Sequence, residues 1–282
     1  MRVLHHHHIL PLFVWIDDAV ASLPQIKKEE EKRRKGGRPS VLRDSELITL
    51  LVFNLSTVQQ QTLRQIYDWV QQYHRSDFPC LPRYQNFVCH CHRVQPLMRR
   101  LLGSLLRDRA PLRFMDATML PVCKMVRRRW HRVARGYANI GHNWQGEHYG
   151  FKLHASIDND GLLCAAVFSS ANIHDSRAIP VLVNEHTRLA VGDSGYRSAP
   201  LHRKVRRAFG TFILTPPHYK QRKQLMTESQ CKLLRRRPKI ETVFDYLKEH
   251  LHLVTSFPRS VHGYAVHYTR ILLGYQLLML GW

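Results

Sequence analysis

Three stretches in the first part of the chain read as helices from their apolar residues and flanking caps. Residues 47–55 are almost wholly apolar, and Asp44 or Ser45 ahead of them supplies a cap, with Glu46 in the first turn; a helix is predicted there. In residues 62–73, Ile66, Trp69, Val70 and Tyr73 recur every three or four positions and predict a second helix. A third is expected over 83–106. After Pro111 the pattern changes. Residues 112–122 are an apolar run around one acidic side chain, Asp116, short enough for a buried strand. Residues 149–157 and 162–169 read as two strands around Asp158-Asn159-Asp160-Gly161, a hairpin turn in which Asp158 and Asp160 are turn formers. A short strand over 189–191 ends at Gly192-Asp193-Ser194-Gly195, and another over 211–215 is stopped by Pro216-Pro217. A helix over 238–251 then carries Glu241.

This order predicts a mostly helical region, residues 1–110, followed by an α/β domain with a mixed sheet, residues 111–282. Two apolar stretches invite a membrane or export reading. Residues 9–16 precede Ala19-Val20-Ala21 as a secretory leader would, but Pro11, Asp17 and Asp18 interrupt the pattern and Arg2 is the only leading charge. Residues 271–282 are far short of the roughly 20 needed to span a bilayer and read as a buried core helix. No membrane association is expected.

Charge sharpens the picture. The 282 residues hold 43 Lys and Arg against 21 Asp and Glu, a net charge of +22. Such an excess repels itself and calls for a polyanionic partner, nucleic acid first. The excess is local: residues 197–240 hold 13 basic side chains against the single acid Glu228, and residues 124–135 hold six against none. An ordinary solvated face mixes signs, so these segments suit a phosphate backbone. The six cysteines lack the spacing of a disulfide framework, which fits a reduced, cytoplasmic protein. Cys89-His90-Cys91-His92 is no zinc site, because neighbours on a helix face different ways and no second pair follows. The His5 to His8 tract is either a weak metal binder or an inert tail.

Carboxylates at the ends of buried strands are costly unless something neutralises them. Asp116, Asp193 and Glu241 together would repel, and hard divalent cations with oxygen ligands, Mg2+ or Mn2+, remove the conflict. Two such ions can stabilise the attacking and leaving oxygens of a phosphodiester. Arg237 and Lys248 stand four residues before and seven after Glu241, on one face of the expected helix. Asp175 follows a strand and competes as a ligand. Asp245 and Glu249 share the Glu241 helix and offset nearby arginines.

The second half resembles the transposase DDE domain of bacterial insertion sequences. The residues that carry the likeness are Phe114-Met115-Asp116-Ala117-Thr118, Gly150-Phe151-Lys152-Leu153-His154 and Gly192-Asp193-Ser194-Gly195-Tyr196. A helix signature of Tyr, Arg, Glu and Lys is matched by Arg237, Glu241 and Lys248 at the right intervals, with Leu234 in place of the Tyr. The resemblance covers about residues 111–280 and implies a ribonuclease H-like fold. It implies Asp116, Asp193 and Glu241 as catalytic residues and ligands of two Mg2+ or Mn2+ ions. It also implies a hydrolytic nick at each transposon end, followed by attack of the freed 3′-OH on target DNA. Double-stranded DNA is the expected partner, engaged by Arg237, Lys248 and Lys152, with a homodimer or higher oligomer assembled on it in a nucleoid-associated setting. Arg38, in Gly37-Arg38-Pro39, is either a minor-groove contact or part of a plain linker. Two rivals remain at this point: a nuclease of the same fold that cuts without rejoining, and a catalytically silent DNA-binding protein.

Overall fold

The computed structural model describes residues 9–23, 41–57, 62–217 and 226–282. Arg38 and the His5 to His8 tract lie outside them. In chain order the elements are α1 (Ile9–Ser22), α2 (Asp44–Thr57), α3 (Leu63–Tyr73), α4 (Tyr84–Leu105), β1 (Leu112–Cys123), β2 (Asn139–Asn143), β3 (Gly146–Ile157) and β4 (Leu163–Ser170). There follow α5 (Ile179–Leu182), β5 (Leu189–Val191), α6 (Ala199–Phe209), β6 (Phe212–Leu214), α7 (Glu228–Arg236), α8 (Lys239–Asp245) and α9 (Val261–Met279). No described helix is long and apolar enough to cross a membrane.

The chain divides into two compact units, the first comprising residues 1–105, 250–253 and 257–282, the second residues 106–249 and 254–256. The first is helical. Leu47, Ile48, Leu50, Leu51 and Phe53 of α2 are all fully buried, so this helix is apolar around its circumference and forms the centre. The stretch read as a core helix is the end of α9, buried from Tyr264 to Leu277 apart from Ala265. It runs close to α2: a Cβ at Gly274 would meet Leu55 Cδ1 at 2.6 Å. Thr62 caps α3 in a reciprocal box with Gln65. The Cys-His-Cys-His string does point several ways on α4: His90 Nε2 lies 2.6 Å from Asp44 Oδ1, Cys91 is buried and Cys89 exposed.

The second unit is built on a six-stranded sheet in the order β2-β3-β1-β5-β6, with β4 also paired to β3. β1 lies antiparallel to β3 and parallel to β5, and β5 is parallel to β6. Long β3 holds β1 along one edge and, on the other, β2 along its first residues and β4 along its last. This is the mixed sheet of a ribonuclease H-like domain following a helical region. The β3–β4 turn is tied by Asp158, whose Oδ1 accepts from the Asp160 and Leu162 amides at 2.8 and 3.0 Å. β1 is anchored by buried Arg113, whose guanidinium donates to the carbonyls of Leu182 (2.9 Å), Asp108 and Ala110 and to Asn184 Oδ1 (2.9 Å). The helix expected over 238–251 is shorter and less regular: α8 ends at Asp245, and a π turn spans Tyr246–His250. Upstream, α7 stops at Arg236, so Arg237 sits in the junction between two helices rather than inside one.

Candidate active site

β1 carries Asp116, the turn after β5 carries Asp193, and α8 carries Glu241. Asp116 sits mid-strand, its side chain 17% exposed, where it accepts from the Ala117 amide at 2.8 Å and from Arg237 Nη1 at 3.1 Å. The other terminal nitrogen of Arg237 donates to Glu241 Oε1, so one guanidinium joins Asp116 to Glu241. The fork geometry of arginine makes this bridging possible, because two N–H groups diverge from one rigid plane. Asp193 follows β5 and caps the 3₁₀ turn Ser194–Tyr196, accepting from Gly195 N at 2.9 Å.

The electrostatics tie these groups into one field. Burial pushes the Asp116 carboxyl up to about 6, with Asp193 and Glu241 adding to the rise and the Ala117 amide and Arg237 opposing it. Asp193 is also raised, by burial and then by Asp175. Burial lowers Lys248, while Asp245, Glu249 and Asp116 raise it; its ammonium therefore shares the field although it stands in the π turn.

Asp175 belongs beside Asp193: a Cβ at Gly195 would meet Asp175 Oδ2 and Asp193 Oδ1 at 3.2 Å each. Its carboxylate takes a bond from Lys152 Nζ at 2.9 Å, and the same ammonium donates to Ile173 O at 2.9 Å. Lys152, expected to contact DNA, is thus only 8% exposed and neutralises Asp175. His154, two residues along β3, places Nδ1 3.7 Å from Asp175 Oδ1; burial drives its imidazole down to about 4. Sequence spacing brought out Arg237 but not its bridging role, and it missed the Lys152–Asp175 pair altogether, since residues 23 apart carry no local pattern.

The donor set suits a hard divalent cation. Two half-buried carboxylates with raised proton affinity seek positive charge, and among the described residues the buried Tyr196 hydroxyl near them has no hydrogen-bond partner. Among the described residues no three ligating side chains already stand at metal-binding distance. Arg237 instead fills the charge demand between Asp116 and Glu241.

A ribonuclease H-like sheet with acidic groups on its first strand, on the strand parallel to it and on a following helix defines a class of enzymes that act on nucleic-acid phosphodiesters. Within that class the family is shown directly: a profile described as transposase DDE domain matches residues 107–261, more than half of the chain, and the protein belongs to that family. Its function is of the transposase type, its substrate DNA, and the family works with divalent metal ions. No curated protein and no solved structure gives a significant match.

Proposed function

We propose that the protein is a DNA transposase that cleaves strands at the ends of its element and joins the freed ends to target DNA. The observation that carries this reading is the convergence of Asp116 and Glu241 on Arg237, with Asp193 in the same buried field. Asp116, Asp193 and Glu241 would hold two Mg2+ or Mn2+ ions, which supply Lewis-acid stabilisation of the oxygens entering and leaving phosphorus. The protein does the positioning. β1 and β5 fix Asp116 and Asp193 through parallel pairing, Phe114 opposite Val191, and neither side chain must be ordered when DNA arrives. The low exposure of Asp116 strengthens its charge interactions. Arg237 must leave at least one of its two carboxylates for ions to bind both, and its freed fork then faces incoming phosphate oxygens. Lys248 adds a second cation. Lys152 and His154 hold Asp175 beside Asp193, a supporting position. In the first step water oxygen forms a bond to phosphorus as the 3′-oxygen leaves; in the second, that 3′-OH forms the bond and a target 3′-oxygen leaves. The helical region 1–110 would recognise element ends, and a homodimer or higher oligomer would hold both ends together.

Incubating the protein with DNA bearing its element's ends, with and without Mg2+, tests this. Metal-dependent nicks with 3′-OH ends are expected, followed by joined products. Asp116→Ala, Asp193→Ala and Glu241→Ala should each abolish cleavage and leave DNA binding largely intact. Full cleavage by Asp193→Ala with loss in Asp175→Ala would move the second ligand to Asp175. Nicks without joined products would reduce the protein to a nuclease.

A further inference from the structure

The second unit exposes large aromatic side chains in one short stretch. Trp130 is 73% exposed, Tyr137 63% and Trp144 91%, and the same stretch carries the six basic residues between Lys124 and Arg135. Water-exposed tryptophan is costly apolar surface, and its grouping with an excess of cations asks for a ligand with both flat apolar faces and negative charge.

The display rests on paired and packed backbone. Trp144 opens the two-residue turn between β2 and β3, whose last ladder pair is Asn143 with Gly146. Asn143 Oδ1 accepts from Gln145 N at 2.9 Å and lies 3.0 Å from His148 Nε2, which fixes the tip. The hairpin backbone packs closely on its neighbours: a Cβ at Gly141 would meet Ala171 O at 2.3 Å, and one at Gly150 would meet Leu120 O at 2.2 Å. The preceding segment is pinned from within. Ala134 and Ala138 are buried, and the His131 ring meets Tyr149 edge-on at 6.0 Å, leaving Trp130 and Tyr137 directed outward. Arg128 joins that segment to the hairpin through Glu147 at 3.7 Å.

We propose that Trp144 and Trp130 are stacking faces for unpaired nucleotides of DNA, with Lys124, Arg127, Arg129 and Arg132 holding the adjoining phosphates. The proposal rests on DNA being the substrate. A duplex buries its base faces, so such a surface discriminates for single-stranded or unstacked DNA. The hairpin also stands away from the carboxylates. Ala155 pairs with Asp116, and Gly146 lies nine residues back along β3. That is about 30 Å at 3.3 Å per residue, the length of roughly nine base pairs at 3.4 Å each. Unpaired nucleotides would therefore be held at that distance from the cleaved bond.

The test compares full-length protein with Trp144→Ala, Trp130→Ala and Trp144→Phe, using a labelled single-stranded oligonucleotide and the blunt duplex of the same sequence over a range of salt. Each alanine variant should weaken single-strand binding about fivefold to a hundredfold. Trp144→Phe should keep most of the affinity. The salt slope should be unchanged, because no charge is lost. The duplex should respond little. Arg129→Ala should instead flatten the slope on both forms. Equal losses on duplex and single strand, or undiminished single-strand binding, overturn the stacking role while leaving the carboxylate site untouched. A wild-type dimer that Trp144→Ala dissociates, with single-strand affinity unchanged, would assign the surface to a second copy of the chain. Wild-type protein that binds neither DNA form overturns this proposal and the transposase reading together.

Discussion

Burial suppresses charge in both units, and in the sheet unit two half-buried carboxylates also keep a cation beside them. In the helical unit burial works against charge: the imidazole of His267, 6% exposed, is driven down to about 3, and the Cys91 thiol up to about 12. Both have the buried Arg270 for a neighbour, and His267 Nε2 lies 3.0 Å from the carbonyl of His252, a contact a neutral ring can make. In the sheet unit a half-buried carboxylate keeps a cation at hand, Arg237 for Asp116 and Lys152 for Asp175. The difference separates packing from chemistry. A side chain that folding discharges is part of the core, whereas one whose charge is held in reserve beside a movable partner is available for work.

The sharpest break in that comparison is Asp116→Asn. Cleavage should fall by at least about 10³-fold, with a melting temperature no lower than the parent's, since an ionised carboxylate is no longer desolvated. A marked loss of stability would make Asp116 a structural residue like those of the helical unit. Next is Arg113→Ala, within the sheet unit yet remote in purpose from the site. Its guanidinium serves Leu182 O, Asn184 Oδ1 and the Asp108 carbonyl, so its loss strands buried acceptors. Urea unfolding should show about 3 kcal/mol of destabilisation. Retained stability would mean that water replaces the guanidinium.

The helical unit is tested by acid. The folded His267 ring protonates only near pH 3, against 6.5 for an ordinary histidine. Below pH 6.5 the unfolded chain therefore takes up a proton that the folded chain refuses, and stability present above that pH is lost as pH falls. Between pH 6.5 and about pH 5 this amounts to about 2 kcal/mol. His267→Gln, which keeps a donor for the His252 carbonyl but does not titrate, should lose that much less over the same interval. Equal pH dependence in both proteins would place the acid sensitivity elsewhere. The smallest effects belong to the basic rim of the site. Arg237→Ala and Lys248→Ala should each flatten the log–log salt dependence of DNA binding by about 0.9, with Arg237→Ala costing more in cleavage rate because its fork engages two oxygens. Unchanged slope and rate in folded Arg237→Ala protein would leave the guanidinium only a charge-neutralising role.

Much of this was legible in the chain because the signals were local. Helical spacing predicted α2, α3 and α4; the apolar frame around Asp116 predicted β1; and the turn at Asp158 to Gly161 predicted the β3–β4 hairpin. The interval between Arg237 and Glu241 matches a pair that meets across the junction of two helices, while Lys248 stands in the π turn beyond them. Other elements had no such signal. β2 is Asn-Ile-Gly-His-Asn, without alternation, and exists because β3 extends beyond β4 and offers it an edge. α6 and α7 carry basic runs that read as charge rather than as helix.

By itself, then, the sequence determined which segments could be strands or helices, where the positive charge collects, and which carboxylates interrupt apolar runs. Those properties depend on neighbours within a few positions. Only the tertiary structure decided that Arg237 links Asp116 to Glu241 across 121 residues, that Lys152 turns inward to Asp175, and that Trp144 is left standing at a fixed hairpin tip. Each depends on strand register and helix placement, which bring distant residues within bonding distance and which no local pattern encodes.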